Sequence, residues 1–282
     1  MLHPSKPILR LPPGAWDTHV HVYGPQARFP FAPERTYTPD DAPAERLQAL
    51  HHLLGVERVV FVQATVHGFD NRAMLDAIAR NPQANRGIAL VPTDVTDTEL
   101  DTLHAGGVRG VRFNFARHLG AAPDSDAVTR LAGRIARLGW HLQFYMDSKD
   151  LAVHRPFLER LPVPFVIDHF GRVMVDQGAD SPELQTLLAL VRQPHGWVKI
   201  SGPERISAAL STGAVPYGDV VATARRLLEA APDRILWGSD WPHPNVREMP
   251  DDGKLVDLLG HYTSDAALLR KVLIDNPTRL YA

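Results

Sequence analysis

Two histidines set one residue apart stand near the start of the chain, in Trp16-Asp17-Thr18-His19-Val20-His21-Val22. A single aspartate stands near its end, in Ile235-Leu236-Trp237-Gly238-Ser239-Asp240-Trp241-Pro242-His243-Pro244. If the first segment is a strand, His19 and His21 point to one face, because side chains alternate with a period of two. The second segment begins as an apolar run short enough for a buried strand and breaks at Asp240, with prolines just beyond. A carboxylate there must be paired, hydrogen-bonded or put to work, since burying a bare charge is costly. Capping the following turn is its plainer role. Imidazoles and a carboxylate brought together can move a proton, steady a carbonyl oxygen as it gains charge, or ligate a metal. The two ends of the chain can supply them jointly only if the sheet closes on itself.

The elements that would bring them together recur along the chain. Apolar strand candidates lie at Ala15–Val22, Arg58–Gln63, Gly87–Val91, Gly110–Phe115, His141–Met146, Phe165–Asp168, Val198–Ser201 and Ile235–Gly238. Helical periodicity falls between them. Ala44–Leu54 places apolar residues at Leu47, Leu50, Leu53 and Leu54, and Asn71–Arg80 does so at Met74, Leu75 and Ile78. Asp97–His104, Asp126–Leu138, Leu151–Leu161, Glu183–Arg192, Val220–Ala230, Leu255–Leu259 and Asp265–Asp275 follow. Eight strands alternating with helices, without a linker, predict a single-domain (β/α)8 TIM barrel over residues 1–282. A doubly wound open sheet is the competitor, but no glycine-rich phosphate loop follows the first strand. The proline-rich segment from Tyr23 to Pro43 is long for a loop in a compact domain, and its aromatics suggest a lid or wall over the barrel mouth.

Composition narrows the classes. With 282 residues, 44% hydrophobic and 22% charged, the chain has material for one large core. A net charge of -2 and the lack of a basic run argue against a nucleic-acid partner. No window resembles a signal peptide or membrane span, so a cytoplasmic location is the default expectation. The absence of cysteine removes disulfides and thiolate ligands.

In a barrel of this type the site lies at the C-terminal ends of the strands. The residues to inspect there are His19 and His21, Gln63 and His67, Arg112, Asn114 and Arg117, Tyr145 and Asp147. Asp168, His169, Arg172, Lys199, Ser201, Glu204, Arg205, Asp240 and His243 complete them. A lone buried histidine is more often a satisfied core residue than a ligand; the convergence of His-x-His, a strand-six histidine and a strand-eight aspartate is far harder to reach by chance.

Asp17-Thr18-His19-Val20-His21, Asp168-His169-Phe170-Gly171-Arg172, Trp237-Gly238-Ser239-Asp240-Trp241-Pro242-His243-Pro244 and Asp275-Asn276-Pro277-Thr278-Arg279-Leu280-Tyr281 resemble the amidohydrolase superfamily in its amidohydrolase 2 branch. Val111-Arg112-Phe113-Asn114-Phe115, Gly202-Pro203-Glu204-Arg205 and Met249-Pro250-Asp251-Asp252-Gly253 bring the likeness nearest to the 2-pyrone-4,6-dicarboxylate lactonases. The resemblance implies a hydrolase that opens a small acidic lactone from the breakdown of lignin-derived aromatics. On that footing Asp240 is expected as general base, and His19, His21 and His169 as hydrogen-bond donors to the carbonyl oxygen. Arg112 and Arg205 are expected to hold substrate carboxylates, Tyr145 to add a hydrogen bond, and His67 either to line the pocket or to serve a structural turn. Those lactonases carry a second arginine a few residues beyond Arg112; here Arg117 or His118 must take its part. His243 is expected to buttress the Asp240 turn.

His19, His21, His169 and Asp240 could ligate one zinc or manganese ion. The metal-dependent members that the chain resembles add a strand-four carboxylate or lysine and a strand-five histidine, where this sequence has Arg112 and Tyr145. The expectation is therefore a metal-free site with no cofactor. Other readings on the same barrel are a metal-dependent decarboxylase, a galactarolactone-type isomerase and a non-catalytic acid-binding barrel.

Overall fold

Apolar runs of two to seven residues form eight parallel strands in the order of the sequence. They are β1 (Trp16–Val20), β2 (Arg58–Val62), β3 (Asn85–Ala89), β4 (Val108–Asn114), β5 (His141–Tyr145), β6 (Phe165–Ile167), β7 (Gly196–Lys199) and β8 (Ile235–Leu236). The computed structural model describes residues 4–116, 122–209 and 215–282. A helix follows each strand: α1 (Ala44–Leu54), α2 (Arg72–Ala79), α3 (Asp97–Ala105), α4 (Ser125–Ile135), α5 (Leu151–Leu158), α6 (Pro182–Val191), α7 (Val221–Ala230) and α8 (Asp252–Tyr262). None is long and apolar enough to cross a membrane among the described residues.

Helix starts are set by local chemistry. Thr96 and Glu99 form a reciprocal capping box at α3, and Asp124 accepts from the first turn of α4. Ser181 caps α6 ahead of Pro182, whose missing N–H is no loss at that position. Each helix turns an apolar stripe to the barrel, as α4 does with Val128, Leu131, Ala132 and Ile135. The helix Asn276–Tyr281 ends on Tyr281, whose buried ring packs against His141 inside the barrel at a centroid distance of 5.2 Å.

Closure occurs where the sequence demanded it. Thr18 N–H donates to the Trp237 carbonyl at 3.0 Å, Asp240 N–H to His19 at 2.8 Å, and His21 N–H to Trp241 at 2.8 Å. The segment after β8 thus serves as the partner of β1. Asp17 braces this seam: one oxygen accepts from Ser239 N–H at 2.9 Å, and the other meets Ser239 Oγ at 2.5 Å and His51 Nε2 at 3.2 Å. At Gly238 a Cβ would stand 2.6 Å from His19 Cβ, so only glycine lets the two backbones approach this closely.

Strand ends differ from expectation by one or two residues, as at β7, which runs from Gly196 to Lys199 and not from Val198 to Ser201. β8 stops at Leu236, because Trp237 and Gly238 turn to pair with β1. β3 begins at Asn85 and ends at Ala89. Leu90 leaves the ladder because the Asn71 side chain serves both its N–H and its carbonyl, at 3.2 and 2.9 Å. The segment expected as one helix over Asp265–Asp275 divides into a helix, Ala266–Arg270, and a π-turn, Lys271–Asp275.

Candidate active site

His19 and His21 leave β1 toward the barrel interior, with ring centroids 5.1 Å apart. His169 follows β6 directly, and Asp240 sits in the turn after β8 with a positive φ of 69°. All four are buried. From Asp240 Oδ1, the Nε2 atoms of His19, His21 and His169 lie at 3.7, 3.4 and 3.8 Å. The other Asp240 oxygen is held by Arg205, with Nη2 at 2.6 Å and Nε at 2.7 Å. Burial alone would push the Asp240 carboxyl up; Arg205, His169 and His21 outweigh it and hold the group well below the usual carboxylate range.

The other ring nitrogens fix how the histidines face the site. His21 Nδ1 stands 2.9 Å from the Val62 carbonyl, which can only accept, so Nδ1 carries a proton. A neutral His21 therefore turns a lone pair toward Asp240. The donor role expected for it requires a second ring proton, and its neutral form is an acceptor. His169 Nδ1 meets Ser201 Oγ at 2.9 Å. Burial pulls His19 down to about 3 against the attraction of Asp168, and pulls His169 well below its ordinary value. Both rings are neutral near pH 7.

His21, His169, Arg205 and Asp240 open into a cavity of about 280 Å³, walled also by Tyr37, Thr65, Arg112, Tyr145, Arg172, Pro244 and Asn245, while His19 lies buried behind Asp240. Three arginines enter it, each beside a carboxylate. Arg112 Nε is 3.0 Å from Asp168, Arg172 Nη1 is 3.0 Å from Asp147, and Arg205 holds Asp240. The Tyr145 ring lies between the first two, 5.1 Å from each guanidinium carbon. Arg205 also approaches Glu204, at 3.8 Å, and its nearer partner is Asp240.

Arg117 and His118 lie outside the described residues. His67 does not line this cavity: its Nδ1 bonds the Pro30 carbonyl at 3.1 Å and its ring packs edge-on against Phe31. It clasps the long loop instead. That loop is pinned at its base by paired Tyr23–Ala42 backbone bonds and buries Phe29 and Phe31. Tyr37 from the same segment reaches the cavity wall. His243 N–H donates to the Asp240 carbonyl at 2.7 Å and its Nε2 meets Asp252 at 2.9 Å, which buttresses the turn.

Beneath the cavity the barrel is polar. Gln143, absent from the sequence candidates, bonds Asp168 Oδ2 at 3.2 Å through its amide nitrogen. The signal for it was the alternation His141-x-Gln143-x-Tyr145 along β5, which turns all three the same way. Lys199 Nζ accompanies them, fully buried, its pKa lowered to about 7 by burial against the pull of Asp168.

Asp240 Oδ1 and the three Nε2 atoms around it are the ligand types that a divalent zinc or manganese ion takes. Ligands about 2.0–2.1 Å from a tetrahedral zinc stand about 3.3 Å from one another, close to the spacing here. Among the described residues, His19 Nε2 and Asp240 Oδ1 have no hydrogen-bond partner. His19, His21 and Asp240 thus fit one cation, and His169 Nε2 lies 3.8 Å from the same Asp240 oxygen.

Residues 16–282 match the family model described as amidohydrolase. The chain is 50% identical over 285 residues to a 2-pyrone-4,6-dicarboxylate hydrolase of Comamonas testosteroni, covering 99% of this chain and 93% of that protein. It is 43% identical to a 4-sulfomuconolactone hydrolase of Rhizobium radiobacter, covering 98% and 93%. The solved structure of a probable 2-pyrone-4,6-dicarboxylic acid hydrolase from Acinetobacter baumannii, with citric acid bound, has a TM-score of 0.82 at 28% identity, over 95% of this chain and 99% of that one. The matched region runs from the first strand to the last residue, and the chain belongs to the amidohydrolase family.

Proposed function

We propose that this chain hydrolyses the ring ester of 2-pyrone-4,6-dicarboxylate or a closely similar anionic lactone. The observation that carries this reading is the meeting of three imidazoles around Asp240, two of them lining one small cavity entered by three arginines. The family relatives named above act on lactones that carry acidic groups, and the arginines suit such groups by forked hydrogen bonding.

Water attacks the lactone carbonyl from the space beside Asp240 Oδ1. Asp240 takes a proton from it as the new carbon–oxygen bond forms, and the proton passes to the ring oxygen as the ester bond breaks. The product is an open-chain acid with one more carboxylate. Because Arg205 holds Asp240 ionised, the base is ready at neutral pH but weak, so its effect comes from placement. Imidazole N–H groups steady the carbonyl oxygen as charge develops. Arg112 and Arg172 receive the substrate's acidic groups across the Tyr145 face. A divalent cation held by His19, His21, His169 and Asp240 would polarise the carbonyl as a Lewis acid. The proposed reaction does without one, since the Arg205 guanidinium already supplies positive charge at Asp240.

The test is ultraviolet loss of 2-pyrone-4,6-dicarboxylate with chelator-treated, metal-analysed protein and its Asp240→Asn variant. Turnover should persist without metal, and the variant should lose about 10²–10⁴ in kcat. Activity that vanishes on chelation and returns with zinc overturns the metal-free step. Full activity in Asp240→Asn overturns the role of the base.

A further inference from the structure

The three cavity arginines are not held alike. Arg112 donates through Nε to Asp168 at 3.0 Å, and Arg205 grips Asp240 through two nitrogens. Arg172 Nη1 also has a carboxylate beside it, Asp147 Oδ1 at 3.0 Å, yet this buried nitrogen has no hydrogen-bond partner among the described residues. The two groups therefore meet by charge and not by an aligned bond. The Arg172 guanidinium rests instead against the Tyr145 ring, 5.1 Å from its centre. Asp147 precedes the short turn Ser148–Asp150, and its side chain does not cap it. Among the described residues Arg172 is the one ion-pair partner of that carboxylate, which stands outside the cavity lining.

We propose that Asp147 is a specificity-determining residue: by cancelling the charge of Arg172 it limits that subsite to a singly charged acid group, such as a carboxylate, and turns away a doubly charged one, such as a phosphonate. The inference rests on the reading in which Arg172 receives an acid group of the substrate, but its test measures binding and no turnover.

Two effects act on an acid group that reaches Arg172. The first is attraction to the guanidinium, strengthened because a buried N–H without an acceptor is costly and an incoming oxygen satisfies it. The second is repulsion from Asp147, which lies beside the same nitrogen and grows in proportion to the charge that arrives. A carboxylate brings one negative charge to an arginine already neutralised. A dianion meets twice the repulsion, with no second cation paired at that arginine to offset it. Both side chains are mostly covered, at 28% and 22% exposure, so solvent screens the repulsion only in part. Without Asp147 the same arginine would favour the more highly charged group. Selection thus comes from a residue that repels the wrong ligand without lining the cavity.

The experiment measures, by titration calorimetry at mildly alkaline pH, the binding of isophthalate and of benzene-1,3-diphosphonate. Both place two identical acid groups meta on a six-membered ring, so whichever end meets Arg172 has the same charge. Wild type, Asp147→Asn and Arg172→Gln are compared. Wild type should bind isophthalate more tightly than the diphosphonate. Asp147→Asn should shift the ratio of the two affinities about tenfold toward the diphosphonate, as removal of a nearby like charge implies. Arg172→Gln should weaken isophthalate. A wild type that prefers the diphosphonate overturns the proposal, as does an unchanged ratio in Asp147→Asn. Equal weakening of both ligands in that variant also overturns it, since Asp147 would then only orient Arg172. Isophthalate bound equally well by Arg172→Gln, or not bound by wild type, removes the acid subsite itself and the proposal with it. If only the Asp147→Asn result fails, the subsite stands and the proposal alone falls. Should Asp147→Asn fail to fold, Asp147→Ser takes its place.

Discussion

Asp240 is held between opposing demands. Its burial favours the neutral acid, while Arg205 and the surrounding imidazoles favour the anion and prevail. The chain thereby keeps an acceptor ready at any pH near neutrality, and Arg205 is engaged at the base and not only turned to substrate. In the proposed reaction, recognition of the acidic group falls chiefly to Arg112 and Arg172. Replacing Arg112 with Gln removes a charge-assisted contact of about 1.5–3 kcal/mol, so KM should rise about tenfold to a hundredfold while kcat changes less. Steady-state kinetics on both proteins check this, and an unchanged KM excludes the assignment. At this scale the sequence was partly legible. The His-x-His spacing and the aspartate that ends an apolar run announced themselves by residue type. The Arg205–Asp240 pair did not, because 35 positions separate the two residues and Arg205 was expected to hold a substrate carboxylate. Lys199 reads as an ordinary strand-end lysine until Thr18 and Gln143 are seen around it.

The element that decides whether a site exists is the seam between β1 and the segment after β8. Asp17 holds it through Ser239 and His51, and it is fully buried. Removing that carboxylate in Asp17→Ala leaves a buried N–H and a hydroxyl without acceptors, at about 1–3 kcal/mol for each unsatisfied group. The urea midpoint should fall accordingly, and a midpoint equal to wild type shows that the seam does not depend on Asp17. Most elements were legible because strand and helix periodicities alternate cleanly along this chain. Their ends were less so. The exit of Leu90 from β3 depends on the distant amide of Asn71, and the stop of β8 at Leu236 depends on its pairing with β1. Neither contact has a local signature.

For the whole molecule, charge is unevenly placed: a chain of net charge -2 gathers three arginines into one mouth. The buried His243, which supports that mouth, links the site to global stability. Burial alone would depress it, but Asp252 and Glu204 raise it to about 10 from an ordinary 6.5. Its stabilising contribution is complete below pH 6.5, where the unfolded chain also binds the proton, and is lost as pH climbs toward about 10. Lys199, lowered to about 7 from 10.5, acts in the opposite sense between those values. The difference in unfolding free energy between wild type and His243→Gln should therefore shrink from pH 6.5 toward 10, as denaturant titrations would show; a difference independent of pH rules out the charged His243. The closed barrel was legible from the count and order of its strands, because two imidazoles from the first strand and an aspartate from the last could meet only on a closed sheet.

The central claim is that water, set beside Asp240 by the imidazoles, enters the ring ester. Turnover of 2-pyrone-4,6-dicarboxylate in H₂¹⁸O, read by mass spectrometry of the product, addresses it most directly. One ¹⁸O atom is expected in the newly formed carboxylate. A product of unchanged mass and no isotope uptake, as an isomerase would give, or no product at all, would contradict it.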